Sequence, residues 1–147
     1  MCIRDRPNIR FQIVGRNPSD ELFEICKTAE ITGEVESVQP YLEKAAVFCA
    51  PLRLAFGVQT KILEAMAAGI PVVATKKILN GLKARDGKDI LCADSAEEFA
   101  EHCIELIKDK AKAKAISLNA INYIEKMHNA DEILNDFEKI IIEKAAI

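Results

Sequence analysis

The chain has 147 residues, half of them hydrophobic, with a formal net charge of −3 and an isoelectric point near 5.5. That length suits one domain with a real core, and the acidic balance excludes the basic footprint of a nucleic-acid binder. Every uncharged apolar run is far shorter than a membrane span, and the opening MCIRDRP has no apolar stretch to act as a signal peptide, so a soluble, cytoplasmic protein is expected.

Met1–Arg6 looks like a translated sequencing adaptor and is expected to be foreign to the fold, which then starts in mid-element at Pro7. From there buried-strand and amphipathic-helix patterns alternate. Ile9–Val14 is strand-like, with Ile9, Phe11 and Ile13 on one face, and Gly15 ends it. Ser19 is placed to cap a helix that turns Leu22, Phe23 and Cys26 inward. A short strand follows near Ile31, closed by Gly33. Val38–Ala45 reads as a short helix with Tyr41, Leu42 and Ala45 inward. Ala46–Ala50 is a continuous apolar run bounded by Pro51, as expected of a strand covered on both faces. Gln59–Ala68 is a helix stopped by Gly69, and Pro71–Thr75 is the next buried strand. Asp89–Ala93 is another. Ser95 and Glu98 form a capping box for a helix reaching Ile107, and two further helices cover Ala111–Met127 and Ala130–Lys144.

This order predicts an α/β fold: a Rossmann-like, doubly wound, mostly parallel sheet of about five strands with helices on both faces. The body of the domain spans residues 7–127, and residues 128–147 form a C-terminal helix. Ligands of such sheets lie beyond the carboxyl ends of the strands. The turns to inspect are therefore 15–20, 33–36, 51–60, 75–87 and 93–95.

The 51–60 turn is the most informative. It leaves a buried strand, passes Gly57 and enters a helix, whose free N–H groups and positive dipole end suit an anion. Gln59, Thr60 and Lys61 add donors and a charge. Neither GxGxxG nor a P-loop lysine pattern is present. One turn into that helix stands Glu64, flanked by Ile62, Leu63, Met66 and Ala67, which leaves a narrow arc for solvent. Burying a lone carboxylate costs several kcal/mol unless it is paired. Two ribose hydroxyls could supply its partners. An ion pair with Lys61, three residues away, or plain exposure are the open alternatives.

The stretch GVQTKILEAMAAGIPVVAT, preceded by YLEKAAVFCAPLRL, resembles the nucleotide-binding half of group 1 glycosyltransferases of GT-B fold. FQIVGRNPS and NGLKARDGKDILCADSAEEFAE agree with it, so the likeness runs from about Phe11 to Leu106. Within the family it is most similar to bacterial sugar transferases of exopolysaccharide assembly. The resemblance implies that Glu64 holds the donor ribose. It implies that Gln59, Thr60 and Lys61 face the diphosphate, beside Gly57, whose lack of a side chain lets a phosphate approach the backbone, that Gly15 and Arg16 border the nucleotide, and that the backbone of Gly33, Glu34 and Val35 lies by the base.

Two departures stand out. Many members carry a second glutamate eight residues before the ribose-binding one, on the transferred sugar; Phe56 occupies that position here and is expected to line the pocket instead. An acceptor domain and an earlier strand–helix unit bearing diphosphate-binding cations are also missing. A truncated donor domain, inactive alone, with its catalytic groups in the absent half, is the expectation. The family likeness implies a retaining, hexosyltransferase-type parent with no cofactor and no metal. Its partners are a nucleotide-diphosphate sugar and a glycan or lipid-linked acceptor. No nucleic acid is expected, and any peripheral membrane association would come through the missing half.

Other residues read as structural. Cys2, Cys26, Cys49, Cys92 and Cys103 form no CxxC pair and are expected to be small buried hydrophobes in a reducing compartment. His102 and His128 lack ligand partners at metal spacing. The run Lys108–Ala115 is a solvated helix face, Ser19 and Ser95 are caps, and Asp86–Gly87 is a turn. Two other functions stay open: a nucleotide-sugar epimerase half on the same architecture, and a non-catalytic nucleotide-binding module. A receiver-like module is disfavoured, because the first strand ends in Val14–Gly15–Arg16 without an acidic cluster.

Overall fold

Residues 9–145 are described by the computed structural model; the expected leader Met1–Arg6 and Cys2 lie outside them. In chain order the elements are β1 (Gln12–Ile13), α1 (Asp20–Ile25), β2 (Glu30–Ile31), α2 (Gln39–Lys44), β3 (Phe48–Ala50), α3 (Thr60–Ala67), β4 (Val72–Thr75), a 3-10 helix (Lys76–Asn80), β5 (Leu91–Ala93), α4 (Ala96–Lys108), α5 (Lys110–Met127) and α6 (Ala130–Ala145). All strand pairs are parallel. They form a β1–β2 pair and a β3–β4–β5 ladder rather than one continuous sheet.

The three-stranded ladder carries the core. Its register aligns Cys49, Val73 and Leu91 on one face, and Ala50, Ala74 and Cys92 on the other. The Ala74 face packs with Leu42 of α2, Ile62, Ala65 and Met66 of α3, and Ala120 and Tyr123 of α5. The Val73 face packs with Cys103 and Leu106 of α4 and Ile116 of α5. Helices thus cover both faces, as continuous apolar strands require. Burying each Val or Ile side chain contributes about 1.5–3 kcal/mol.

Local chemistry sets the helix ends. Ser19 accepts from Leu22 N–H, Ser95 from Glu98 N–H and Asp109 from Lys112 N–H. The expected capping box is shifted by one residue: Glu98 accepts from the backbone of Asp94 rather than of Ser95. Gly69, at φ +71°, ends α3 with Gly69 N–H donating to Met66 and Ile70 N–H to Ala65, the paired bonds of a Schellman stop.

Some expectations need correction. Phe23 is half exposed, whereas Leu22 and Cys26 are half-buried. A helix of six residues packs one i, i+4 row, and Phe23 falls outside that row. Cys26 and Cys49 are half-buried, and among the described cysteines only Cys92 and Cys103 are buried. Segment 76–80, read as part of a turn, forms the 3-10 helix. The described side chains of α6 are exposed, including Ile133, Leu134, Phe137, Ile140, Ile141 and Ile142. No helix among the described residues is long and apolar enough to cross a membrane.

The buried carboxylate of this fold is Asp89, at 0% exposure. Arg85 donates to it from its backbone N–H, Nε and Nη2, at 2.8, 2.8 and 2.7 Å. The guanidinium holds the Asp89 carboxyl below the ordinary carboxylate value of 3.8. Asp89→Ala is expected to cost about 2–4 kcal/mol, because the donors of Arg85 lose their buried acceptor. A lowered folded pKa gives stability that is complete above 3.8 and drains as pH falls through the folded value. Denaturant titrations between about pH 7 and about pH 3 should show that acid loss in the parent chain and a smaller one in Asp89→Ala.

Candidate functional site

The carboxyl ends of β3, β4 and β5 open on one edge, at Ala50, Thr75 and Ala93. From β3 the chain runs through an exposed loop to Gln59, the N-cap of α3. Gly57 turns this loop at φ +62°, a left-handed conformation that glycine adopts without strain. The Gln59 side chain does not cap the helix; its Nε2 donates to the Phe56 carbonyl at 3.0 Å. The start of α3 therefore carries no side-chain cap, unlike those of α1, α4 and α5, and its first amides stay available to an anion or to water.

Three contacts strap this loop to the end of β4 and the segment after it. Thr75 Oγ1 donates to the Leu52 carbonyl at 2.7 Å, and Lys77 Nζ donates to the Arg53 carbonyl at 3.0 Å. The third is a close approach: a Cβ placed on Gly81 would lie 2.0 Å from the Gly57 carbonyl oxygen. On the same edge Lys76 pairs with Asp94 at 2.6 Å, and that carboxylate raises the Lys76 pKa.

Thr60, Lys61, Glu64, Ala67 and Ala68 are all exposed and form a single stripe on α3, while Ile62, Ala65 and Met66 are buried. The narrow solvent arc expected around Glu64 is in fact open, because the alanines beside it are too small to cover it. The Glu64 carboxylate makes no hydrogen bond or ion pair among the described residues, so neither burial nor pairing with Lys61 accounts for it. Phe56 is 84% exposed, and Leu54 and Val58 beside it are exposed as well.

The structure divides the remaining candidates. Gly15 and Arg16 follow β1, and Gly33, Glu34 and Val35 follow β2. Arg16 Nη1 lies 3.8 Å from Glu34 Oε1, so these two turns adjoin at the carboxyl end of the smaller pair. Both side chains are largely exposed, and such a pair contributes little energy. Among the described residues no hydrogen bond or ion pair joins this group to the α3 group. Arg53, Lys76, Lys77 and Gly81 escaped the sequence reading. Their signal was present, since three of them are cations lying within three residues of a strand end.

His102 lies 4.0 Å from Glu98 and 3.8 Å from Glu105 on its own helix, and His128 Nε2 lies 3.3 Å from Tyr123 Oη at the end of α5. Among the described residues no three His, Cys, Asp or Glu side chains gather in a metal-binding group.

A family model described as glycosyl transferases group 1 matches residues 2–109. An uncharacterized 44.6 kDa protein in the cps region of Klebsiella pneumoniae is 24% identical over 149 aligned residues, covering 95% of this chain. The chain spans 38% of that curated relative's length. The fold is similar to that of Anabaena HepE, solved in complex with UDP, with a TM-score of 0.82 and 17% identity over 93% of this chain and 42% of that one. It also resembles the C-terminal domain of a group 1 glycosyl transferase, LpcC, from Francisella tularensis, with a TM-score of 0.73 and 18% identity over 87% of this chain and 74% of that one.

Gly81→Ala should push its methyl against backbone, which cannot swing aside as a side chain can. Thermal or denaturant unfolding is expected to show a loss of about 1–3 kcal/mol. Gly15→Ala, with open space around the added carbon, should stay within about 0.5 kcal/mol of the parent.

Proposed function

The chain belongs to the group 1 glycosyltransferases, and on that premise we propose that it is the donor-binding domain of a retaining, hexosyltransferase-type enzyme. The diphosphate of a nucleotide sugar would sit on the uncapped start of α3, beside Gly57, Gln59, Thr60 and Lys61. Arg53 on the strapped loop, and Lys77, whose ammonium donates to the Arg53 carbonyl, add positive charge at the same edge. Glu64 would accept from the ribose hydroxyls. Gly15 and Arg16, with Gly33, Glu34 and Val35, would border the nucleoside. The observation that carries the reading is the exposed stripe of Thr60, Lys61 and Glu64 one turn deep in a helix with an uncapped start beyond a parallel strand.

The chemistry assigned to these groups is stabilisation of the leaving group. As the glycosidic bond breaks, negative charge grows on the departing diphosphate. Amides and cations already aimed at that point need no reorganisation to meet it. Phe56 replaces a carboxylate on the sugar side and offers an apolar ring in its place. The acceptor, a glycan or lipid-linked sugar, and the remaining catalytic groups would be supplied by another part of a longer enzyme, so the 147-residue chain should bind donor weakly and transfer nothing.

Calorimetric titration of the purified chain with UDP, GDP and ADP tests this directly. One of them should bind in preference to the others. Because Glu64 is hydrated in the free chain, each ribose bond exchanges with a water bond, and Glu64→Ala should weaken binding by about tenfold, or about 1.4 kcal/mol. Absence of binding by all three nucleotides would remove the donor reading. An unchanged affinity in Glu64→Ala would remove the ribose role alone.

A further inference from the structure

We propose that Cys49 and Cys103 form an oxidisable dithiol, which a peroxide converts to an intrachain disulfide tying α4 to β3. The two sulfurs lie 3.5 Å apart although their residues are 54 apart in sequence. Cys49 sits in the middle of β3 and Cys103 in the middle of α4, and both belong to the cluster on the Val73 face of the ladder. A disulfide has a sulfur–sulfur distance near 2.0 Å, so the remaining approach is about 1.5 Å. No other described cysteine shares this position. Cys92 packs with the opposite face, and Cys26 ends α1.

The surroundings give the two thiols different roles. Cys49 is the more exposed, and its hydrogen bond with the Cys103 thiol lowers its pKa. That same bond and burial raise the pKa of Cys103. Burial pushes the Cys92 thiol up to about 12, which makes it a poor nucleophile. The Cys49 thiolate attacks one oxygen of hydrogen peroxide, the O–O bond breaks, and hydroxide leaves and takes a proton to become water. Cys49 is then a sulfenic acid. Cys103 sulfur attacks Cys49 sulfur, the S–O bond breaks, and the hydroxyl leaves with the Cys103 proton as a second water. Two thiols and one peroxide give one disulfide and two waters. The closed loop contains α3 and β4, so the bond restrains the segment that presents the exposed stripe of α3.

The test treats the full 147-residue chain with hydrogen peroxide, with and without later reduction by dithiothreitol. Thiol titration should lose two of the five cysteines. Tryptic mapping should join Ala45–Arg53 to Asp89–Lys108, and the melting temperature should rise by at least about 5 °C and return on reduction. Since Asp89–Lys108 also contains Cys92, the cross-link should persist in Cys92→Ser and vanish in Cys103→Ser. Recovery of Cys49 as a sulfinic acid without a cross-link would overturn the proposal. So would a link to Cys92, or Cys49 and Cys103 both remaining free thiols in the folded parent chain.

Discussion

The first three residues of β4 offer no face to water. Val72, Val73 and Ala74 are each at 0% exposure, hydrogen-bonded in the plane to β3 and β5 and covered above and below by helices. A parallel strand in that position needs apolar cover on both sides, and the chain supplies it with α3 on one side, α4 on the other and α5 contributing to both. The register follows, because a slip of one residue would exchange the two clusters. With register fixed, the carboxyl ends of the three strands come to a common edge. Every loop discussed for function leaves from such an edge or from that of the smaller β1–β2 pair.

What stands on the main edge is hydrated and lightly built. Its loop is held by one threonine hydroxyl at the end of β4 and by one lysine and one glycine contact from the segment after it. The groups on α3 are exposed, and Leu54, Phe56 and Val58 present apolar surface beside them. In the donor-binding reading proposed above, ligand charge would be met there by amides, a helix end and scattered cations, each worth more where water is excluded.

The two carboxylates that invite explanation have opposite answers. Asp89 is sealed inside and satisfied three times by Arg85, so it serves the fold. Glu64 is surrounded in sequence by apolar residues yet is free and wet in space. Desolvation cost therefore says nothing about Glu64, and its interest rests on position and family alone. The cysteines show the same gap between sequence and space. No spacing along the chain hints that Cys49 and Cys103 touch, and only the docking of α4 on the three-stranded ladder brings them together.

Periodicity was enough to place the helices, most within one residue of their ends, because an apolar face and a capping side chain are written locally. It was enough to mark Pro71–Thr75 as a strand buried on both faces and Ala46–Ala50 as an apolar strand, although Phe48 and Cys49 are only half-buried at the edge of the ladder, and to single out the turn between Gly57 and Lys61. The resemblance carried by residues 57–75 named the family before any coordinate was needed. Tertiary structure alone decided that the strands pair as two and three, that Phe23 faces out, and that Asp89 rather than Glu64 is the buried acid. It alone decided that Gly81 abuts Gly57. The reason is one of range. A strand's hydrophobicity records how much cover it needs, but its neighbours, and the side chains they bring within reach, are fixed only when distant segments share one packed core.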